Sequence, residues 1–139
     1  MLVEGNAVAG DIKSMDESFK NAFHKHSKQI QRVPCAPIGT YLSAMGITHI
    51  DFFSLDVEGA ELSVLLTMDW NIHVHYLLIE NSSKIPNITD LLQNRGFRVQ
   101  EFRHCTPGPG CTSNTLFVND KYEKPDFSSI RLANISCDR

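Results

Sequence analysis

Two apolar runs in this chain end in acids, and that repetition is its clearest chemical signal. The first run is Ile50-Asp51-Phe52-Phe53-Ser54-Leu55-Asp56-Val57, closed by Glu58-Gly59. The second is Val74-His75-Tyr76-Leu77-Leu78-Ile79, closed by Glu80. Near-continuous apolar runs of this length suit parallel strands covered on both faces. In open α/β sheets ligands sit beyond the carboxyl ends of the strands, where Asp56, Glu58 and Glu80 fall. Three carboxylates around one crevice can hold a cationic or hydroxyl-rich ligand, bind a metal, or act as a general base. Period-2 geometry sets Phe52, Ser54, Asp56 and Glu58 on one face and Phe53, Leu55 and Val57 on the other. Polarity therefore grows toward the functional end. Gly59 lets the backbone turn sharply and leaves room for a ligand. A plainer reading competes, because acids in a helix's first turn meet the positive end of its dipole, which would make Glu58 and Glu61 structural.

Other reactive residue types lack a supporting context. His73 and His75 share one strand face and could ligate a metal, but no partner at useful spacing accompanies them, so no metal site is expected. Ser54 has no G-x-S-x-G surroundings and is not a nucleophile. His104 beside Cys105 reads as a loop pair rather than an activated thiol. Gly5-Asn6-Ala7-Val8-Ala9-Gly10 has the look of a phosphate loop, yet Asp11 stands where a P-loop needs lysine, so an ordinary turn is expected. Cys35, Cys105, Cys111 and Cys137 form no C-x-x-C pair, which argues against structural zinc. They allow three disulfide pairings, and unpaired thiols are an equal alternative. Sequons occur at Asn81, Asn87 and Asn134. Together with the even cysteine count they lean toward a secretory compartment.

The positioning elements follow from periodicity. Residues 1–33 carry little apolar content; Phe19, Ala22, Phe23 and Ile30 sit at near-helical spacing behind a candidate cap, Asp16, so a short surface helix is expected. Ile38, Tyr41, Leu42 and Met45 predict a helix that Gly46 stops. The stretch from Ala60 to Met68 reads as a helix buried along Leu62, Leu65 and Leu66, with Trp70 packing where it ends. Asn87 is a candidate cap for a helix from Ile88 to Arg95, ended by Gly96. Phe97 to Phe102 is a third, more polar strand near an edge. A Pro/Gly-rich connection, Thr106 to Thr112, leads to a last strand, Thr115 to Val118. The alternation predicts an α/β fold with a mostly parallel, Rossmann-like sheet. The last two strands, joined without a helix, should form an antiparallel hairpin.

Size and charge narrow the function classes. The chain has 139 residues, 42% of them hydrophobic and 21% charged. That length suits one domain with an adequate core. With 13 Lys+Arg against 16 Asp+Glu the net charge is -3, so nucleic acid is not an expected partner. No apolar run approaches the roughly 18 residues of a membrane span. The first residues lack the basic and apolar regions of a signal peptide.

The segment from Ile50 to Leu65, with Leu55-Asp56-Val57-Glu58-Gly59-Ala60-Glu61-Leu62 at its centre, resembles the signature of FkbM-type methyltransferases. Pro34 to Gly46 resembles the helix that precedes it, and Leu77 to Glu80 followed by Leu91 to Phe97 resembles the next strand and helix. The Phe-Phe-Ser-Leu-Asp form is also similar to eukaryotic members related to the Star membrane proteins. The resemblance implies a class I methyltransferase fold of Rossmann-like type that uses S-adenosylmethionine, with transfer to a hydroxyl of a sugar or other small molecule. It sets Asp56 and Gly59 at the border of the cofactor, and Asp56, Glu58 and Glu80 on the acceptor side as catalytic residues. Such enzymes hold the cofactor with a glycine-rich loop after their first strand and an acid after their second. Neither strand is legible before residue 34. The expectation is therefore an N-terminal segment over 1–33, the C-terminal half of the domain over 34–119, and a polar tail over 120–139. The strand at Ile50 to Val57 would then present an open edge. An alternative function follows, a non-catalytic module of the secretory pathway that binds a protein partner at that edge by strand addition.

Overall fold

The computed structural model describes residues 2–3, 10–26, 30–100 and 114–123. Cys105, Cys111, Cys137, His104, Asn134, most of the Gly5–Gly10 stretch, the Pro/Gly-rich connection and the greater part of the tail lie outside them. In chain order the elements are β1 (Leu2–Val3), α1 (Glu17–Phe19) running into a π-helical turn (Lys20–His24), β2 (Ile30–Gln31), α2 (Ile38–Ala44), β3 (His49–Leu55), α3 (Glu61–Leu66), β4 (His73–Glu80), α4 (Ile85–Gln93), β5 (Phe97–Gln100) and β6 (Asn114–Asn119). Strands β1 and β2 make a small antiparallel ladder, and the other four form one sheet in the order β3-β4-β6-β5.

The fold is α/β, but the sheet is mixed rather than mostly parallel. Only β3 and β4 pair in parallel; β6 runs antiparallel to both β4 and β5. The cause lies in the connections. A parallel neighbour needs a crossover, and α3 supplies one between β3 and β4. The crossover through α4 carries the chain past one strand position, and β6 fills that gap from the opposite direction. The expected hairpin of β5 with β6 is present, and β5 lies at a sheet edge.

Strand β4 is central and buries Val74, Leu77 and Ile79. These pack with Leu42, Leu55, Leu65, Ile88, Leu92 and Phe117 in one core. Strand β3 is less covered than its apolar run suggested. It is the last strand of the sheet, so Leu55 is buried while Phe52 is 56% exposed. The alternation itself holds: Phe53, Leu55 and Val57 belong to the core, and Phe52, Ser54 and Asp56 are exposed.

Helix faces depart from the periodic reading in informative ways. Helix α2 buries Gly39 and Leu42, whereas Tyr41 and Met45 are largely exposed. A Cβ on Gly39 would stand 2.8 Å from the Asp69 Cβ, so this helix is seated by the absence of a side chain. Helix α3 buries Glu61 and Leu65, with Met68 buried just beyond its end and Leu66 at 63% exposure. Leu62 packs partly buried against the core, so Leu62 and Leu65 lie on the buried side as expected and Leu66 does not. Helix α4 begins at Ile85 rather than after Asn87, because Pro86 fits its first turn and needs no hydrogen-bonded N–H. Gly46 and Gly96 end their helices with positive φ, as expected. Ile30 lies in β2 and not in a helix. Trp70 packs below α3, donating from Nε1 to the Leu65 carbonyl at 3.2 Å, with Arg95 4.8 Å above its ring.

Candidate functional site

The ladder delivers two of the acids side by side. Leu55 pairs with Ile79 at the end of the parallel β3–β4 register, so Asp56 and Glu80 leave the sheet as neighbours. Glu58 reaches them because the backbone reverses: Glu58 has φ 54° and Gly59 φ 95°. A left-handed non-glycine residue costs free energy and must be held by its surroundings. One holder is Glu61, whose Oε1 accepts the backbone N–H of Val57 and of Gly59, each at 3.0 Å. The other is Lys84, whose Nζ donates to the carbonyls of Gly59 and Ser14. A Cβ on Gly59 would fall 2.8 Å from the Ser14 oxygen, so the turn packs tightly on the chain before α1.

In this arrangement Asp56, Glu58 and Glu80 each place a carboxylate oxygen within 4.8 Å of the others. Among the described residues they are the one group spaced to share a cation. Burial and then the charges of Asp56 and Glu58 push the Glu80 carboxyl up to about 7, and a hydrogen bond to Asp56 adds to the rise. Burial, Asp56 and Glu61 also raise Glu58, against a lowering by His24. Near neutrality Glu80 therefore keeps a share of its protonated form, which donates a hydrogen bond to Asp56. Glu61 is fully buried, and its Oε2 has no hydrogen-bond partner. Glu61 is thus bound to the backbone of the turn inside the fold, while Glu58 lies close to Asp56 and Glu80.

A cavity of about 320 Å³ opens beside the cluster. Glu58, Gly59 and Glu80 line it from the strand ends, and Phe19, Ala22 and Phe23 line it from the N-terminal helical segment. Asp16 also borders it, but its carboxylate is engaged by the N–H and hydroxyl of Ser83, at 3.3 and 2.8 Å. Asp16 occupies the cap position of α1 without making a capping bond. The near-helical spacing of Phe19, Ala22 and Phe23 pointed to this helix but not to its place at the site. Nothing in the spacing marked Lys84, because its bonds join residues 25 and 70 positions apart.

The histidines expected at the start of β4 lie at the opposite strand end. His73 stacks on His49 with centroids 4.9 Å apart, and His75 stacks on Tyr122 at 4.6 Å. Tyr122 also donates to Asp51 at 2.9 Å. Cys35 is exposed and forms no disulfide. Among the described residues no helix is long and apolar enough to cross a membrane.

No curated protein and no solved structure matches the chain. The family model described as the methyltransferase FkbM domain matches residues 2–99, which takes in β1 through most of β5 and all three clustered acids. With the signature at Leu55–Leu62 folded into a strand, an acid-bearing turn and a helix, and the match spanning well over half of the sequence, the chain belongs to the FkbM methyltransferase domain family.

Proposed function

We propose that this chain forms the acceptor side of a methyltransferase, directed at a hydroxyl of a sugar or other small molecule. One observation carries the reading: three carboxylates converge at the end of the parallel strand pair, and one of them, Glu80, titrates near neutrality. Methylation of a hydroxyl oxygen releases its proton, and an acid poised near the working pH is suited to receive it. Ionised Glu80 takes that proton, and Asp56 then accepts a hydrogen bond from the protonated carboxyl. Glu58 accepts a second hydroxyl hydrogen and orients the acceptor. Alignment of the acceptor in the adjoining cavity supplies the larger part of the acceleration.

The family implies S-adenosylmethionine as the methyl donor. The carboxylates match its cationic groups in sign, but the described residues do not fit the whole molecule. Gly10 and Gly59, the glycines nearest the site, give no cradle: a Cβ on Gly10 would meet Met15 and Glu58 within 3 Å, and one on Gly59 would meet Ser14. Among the described residues no glycine-rich turn joins a strand to a helix ahead of β3. Asp56 and Gly59 remain the residues proposed to border the donor, and no step is assigned through it.

The test is carbon-detected titration of the three carboxyl groups with a panel of monosaccharides and simple alcohols, beside calorimetry with S-adenosylmethionine. Acceptors that move the Glu58 and Glu80 signals, and lose that effect in Glu80→Gln, support the reading. A panel that moves none of the three refutes it. Tight, Asp56-dependent binding of S-adenosylmethionine would overturn the statement that the described residues do not fit the donor.

A second reading, a module working through protein contacts, has one observation in its favour. The outer edge of β3 has no described partner strand, and Phe52 beside it is half-exposed. An unpaired edge of this kind admits a strand from another chain. Cross-linking that captures no partner at Phe52 would remove that reading.

A further inference from the structure

Two features of the cavity's lining, its acids and its aromatic rings, constrain its ligand more than the family does. Its charged lining residues, Asp16, Glu58 and Glu80, are all acidic. With Asp16 engaged by Ser83, Glu58 and Glu80 are left facing the ligand. The ammonium of Lys84 is taken by two backbone carbonyls, and neither described ion pair, Lys20–Glu17 or Arg98–Asp120, involves the clustered acids. The fully buried Glu61, with its unpartnered Oε2, acts on both Glu58 and Glu80 as a further negative charge. His24 is the one group that opposes the rise of Glu58, and it stands against Asp56, Glu58, Glu61 and Glu80, so among the described residues the site is short of positive charge. A phosphorylated or carboxylated ligand would deepen that shortage, and a cation would relieve it.

The remaining lining is mixed: Phe19 and Phe23 supply its aromatic surface, beside Ala22, Gly59 and the polar Ser18, Asn81 and Ser82. Phe19 and Phe23 touch with centroids 4.7 Å apart and planes tilted by 42°, and Phe23 is 50% exposed. They come from a segment that passes into a π-helical turn at Lys20–His24, a rare winding found often at functional sites. Open aromatic faces beside carboxylates favour an organic cation twice, through apolar contact and through the ring quadrupole. A volume of about 320 Å³ admits one ring with a short chain.

We propose that this cavity binds a cationic amphiphile, an organic ammonium carrying an apolar ring or short chain, with its ammonium at Glu58 and Glu80 and its apolar part on Phe19 and Phe23. The proposal rests on the reading of this cavity as the acceptor site, and it narrows the acceptor to an amine-bearing molecule such as an amino alcohol.

Three probes of matched size and ring separate the contributions: phenethylamine, 2-phenylethanol and phenylacetate, titrated into the full chain and followed by NMR. Phenethylamine should bind tightest, on the order of ten-fold tighter than phenylacetate. Its advantage should shrink with added salt, and its binding should shift the Phe23 ring and the Glu58 and Glu80 carboxyls. Phe23→Ala should weaken phenethylamine and 2-phenylethanol alike. The isosteric double variant Glu58→Gln, Glu80→Gln should erase the preference for the amine while 2-phenylethanol binding persists, which also shows that the cavity is still folded. Equal binding of phenylacetate and phenethylamine, or no binding of any probe to the unaltered chain, overturns the proposal. Binding of phenethylamine with no response to monosaccharides would keep this inference and reject the hydroxyl-acceptor reading; a response to monosaccharides with no binding of phenethylamine would do the opposite.

Discussion

Glu61 holds Gly59 from inside the fold: its Oε1 accepts the Gly59 N–H at 3.0 Å and, with the same atom, the N–H of Val57. Between those two donors stands Glu58, with φ 54°. A carboxylate with no exposed surface thus fixes the conformation that aims a second carboxylate at the ligand cavity. The relation is local in sequence, and it converts a helix's first-turn acid into the brace of the site.

Removing that brace should cost stability and register of the turn together. Glu61→Ala leaves two backbone N–H groups without their acceptor, and a loss of about 2–4 kcal/mol is expected. Glu61→Gln keeps an acceptor oxygen and should cost about 1 kcal/mol. Urea denaturation of the two variants beside the parent chain measures the difference. Equal losses for both would show that the charge, and not the hydrogen bonds, matters at this position.

Lys84 ties the start of α4 to the turn and to the chain ahead of α1, through the carbonyls of Gly59 and Ser14. Lys84→Met preserves the aliphatic stem but removes both charge-assisted bonds, at a cost of about 2 kcal/mol. The segment from 10 to 26 should then be cut sooner than the sheet in limited proteolysis followed by mass spectrometry. Unchanged cleavage order would mean that Lys84 does not anchor that segment.

Glu80 sets a pH dependence whose sign can be stated. Its folded-state value, about 7, lies above the ordinary 4.5. The folded protein therefore binds the proton more tightly than the unfolded chain does. The stability that this group contributes is fully present below about 4.5 and is lost as pH rises through about 7. Glu80→Gln should flatten this limb of the stability profile, read as denaturation midpoints across that range. Carbon-detected titration of the Glu80 carboxyl gives the midpoint directly, and Glu58→Gln should lower it by removing one of the neighbouring charges that raise it.

Much of this site is legible along the chain because its parts lie on adjacent, regular elements. The runs leading to Asp56 and Glu80 are strands, and period 2 places Asp56 opposite the core residues Leu55 and Val57, whereas Glu58 lies beyond β3 and is brought in by the turn at its positive φ. The turn signals at Gly46 and Gly96 act as read. The helix faces were less legible, since α2 and α3 have only seven and six residues. Over so few turns a stripe of apolar residues fits more than one face, and packing at Gly39 and Glu61 selected the one that is buried.

The sequence by itself determined the family signature, the α/β alternation and the three acids at strand ends, because each is encoded by short-range spacing. Only the tertiary structure decided that the sheet is mixed, since strand order depends on which gap β6 fills and not on the strands' own residues. It alone set Phe19 and Phe23 beside Glu58 and Glu80, and tied Lys84 to Ser14 across 70 positions. Contacts of that span follow from how elements pack, and the energy that selects them is shared over the whole core rather than written at either end.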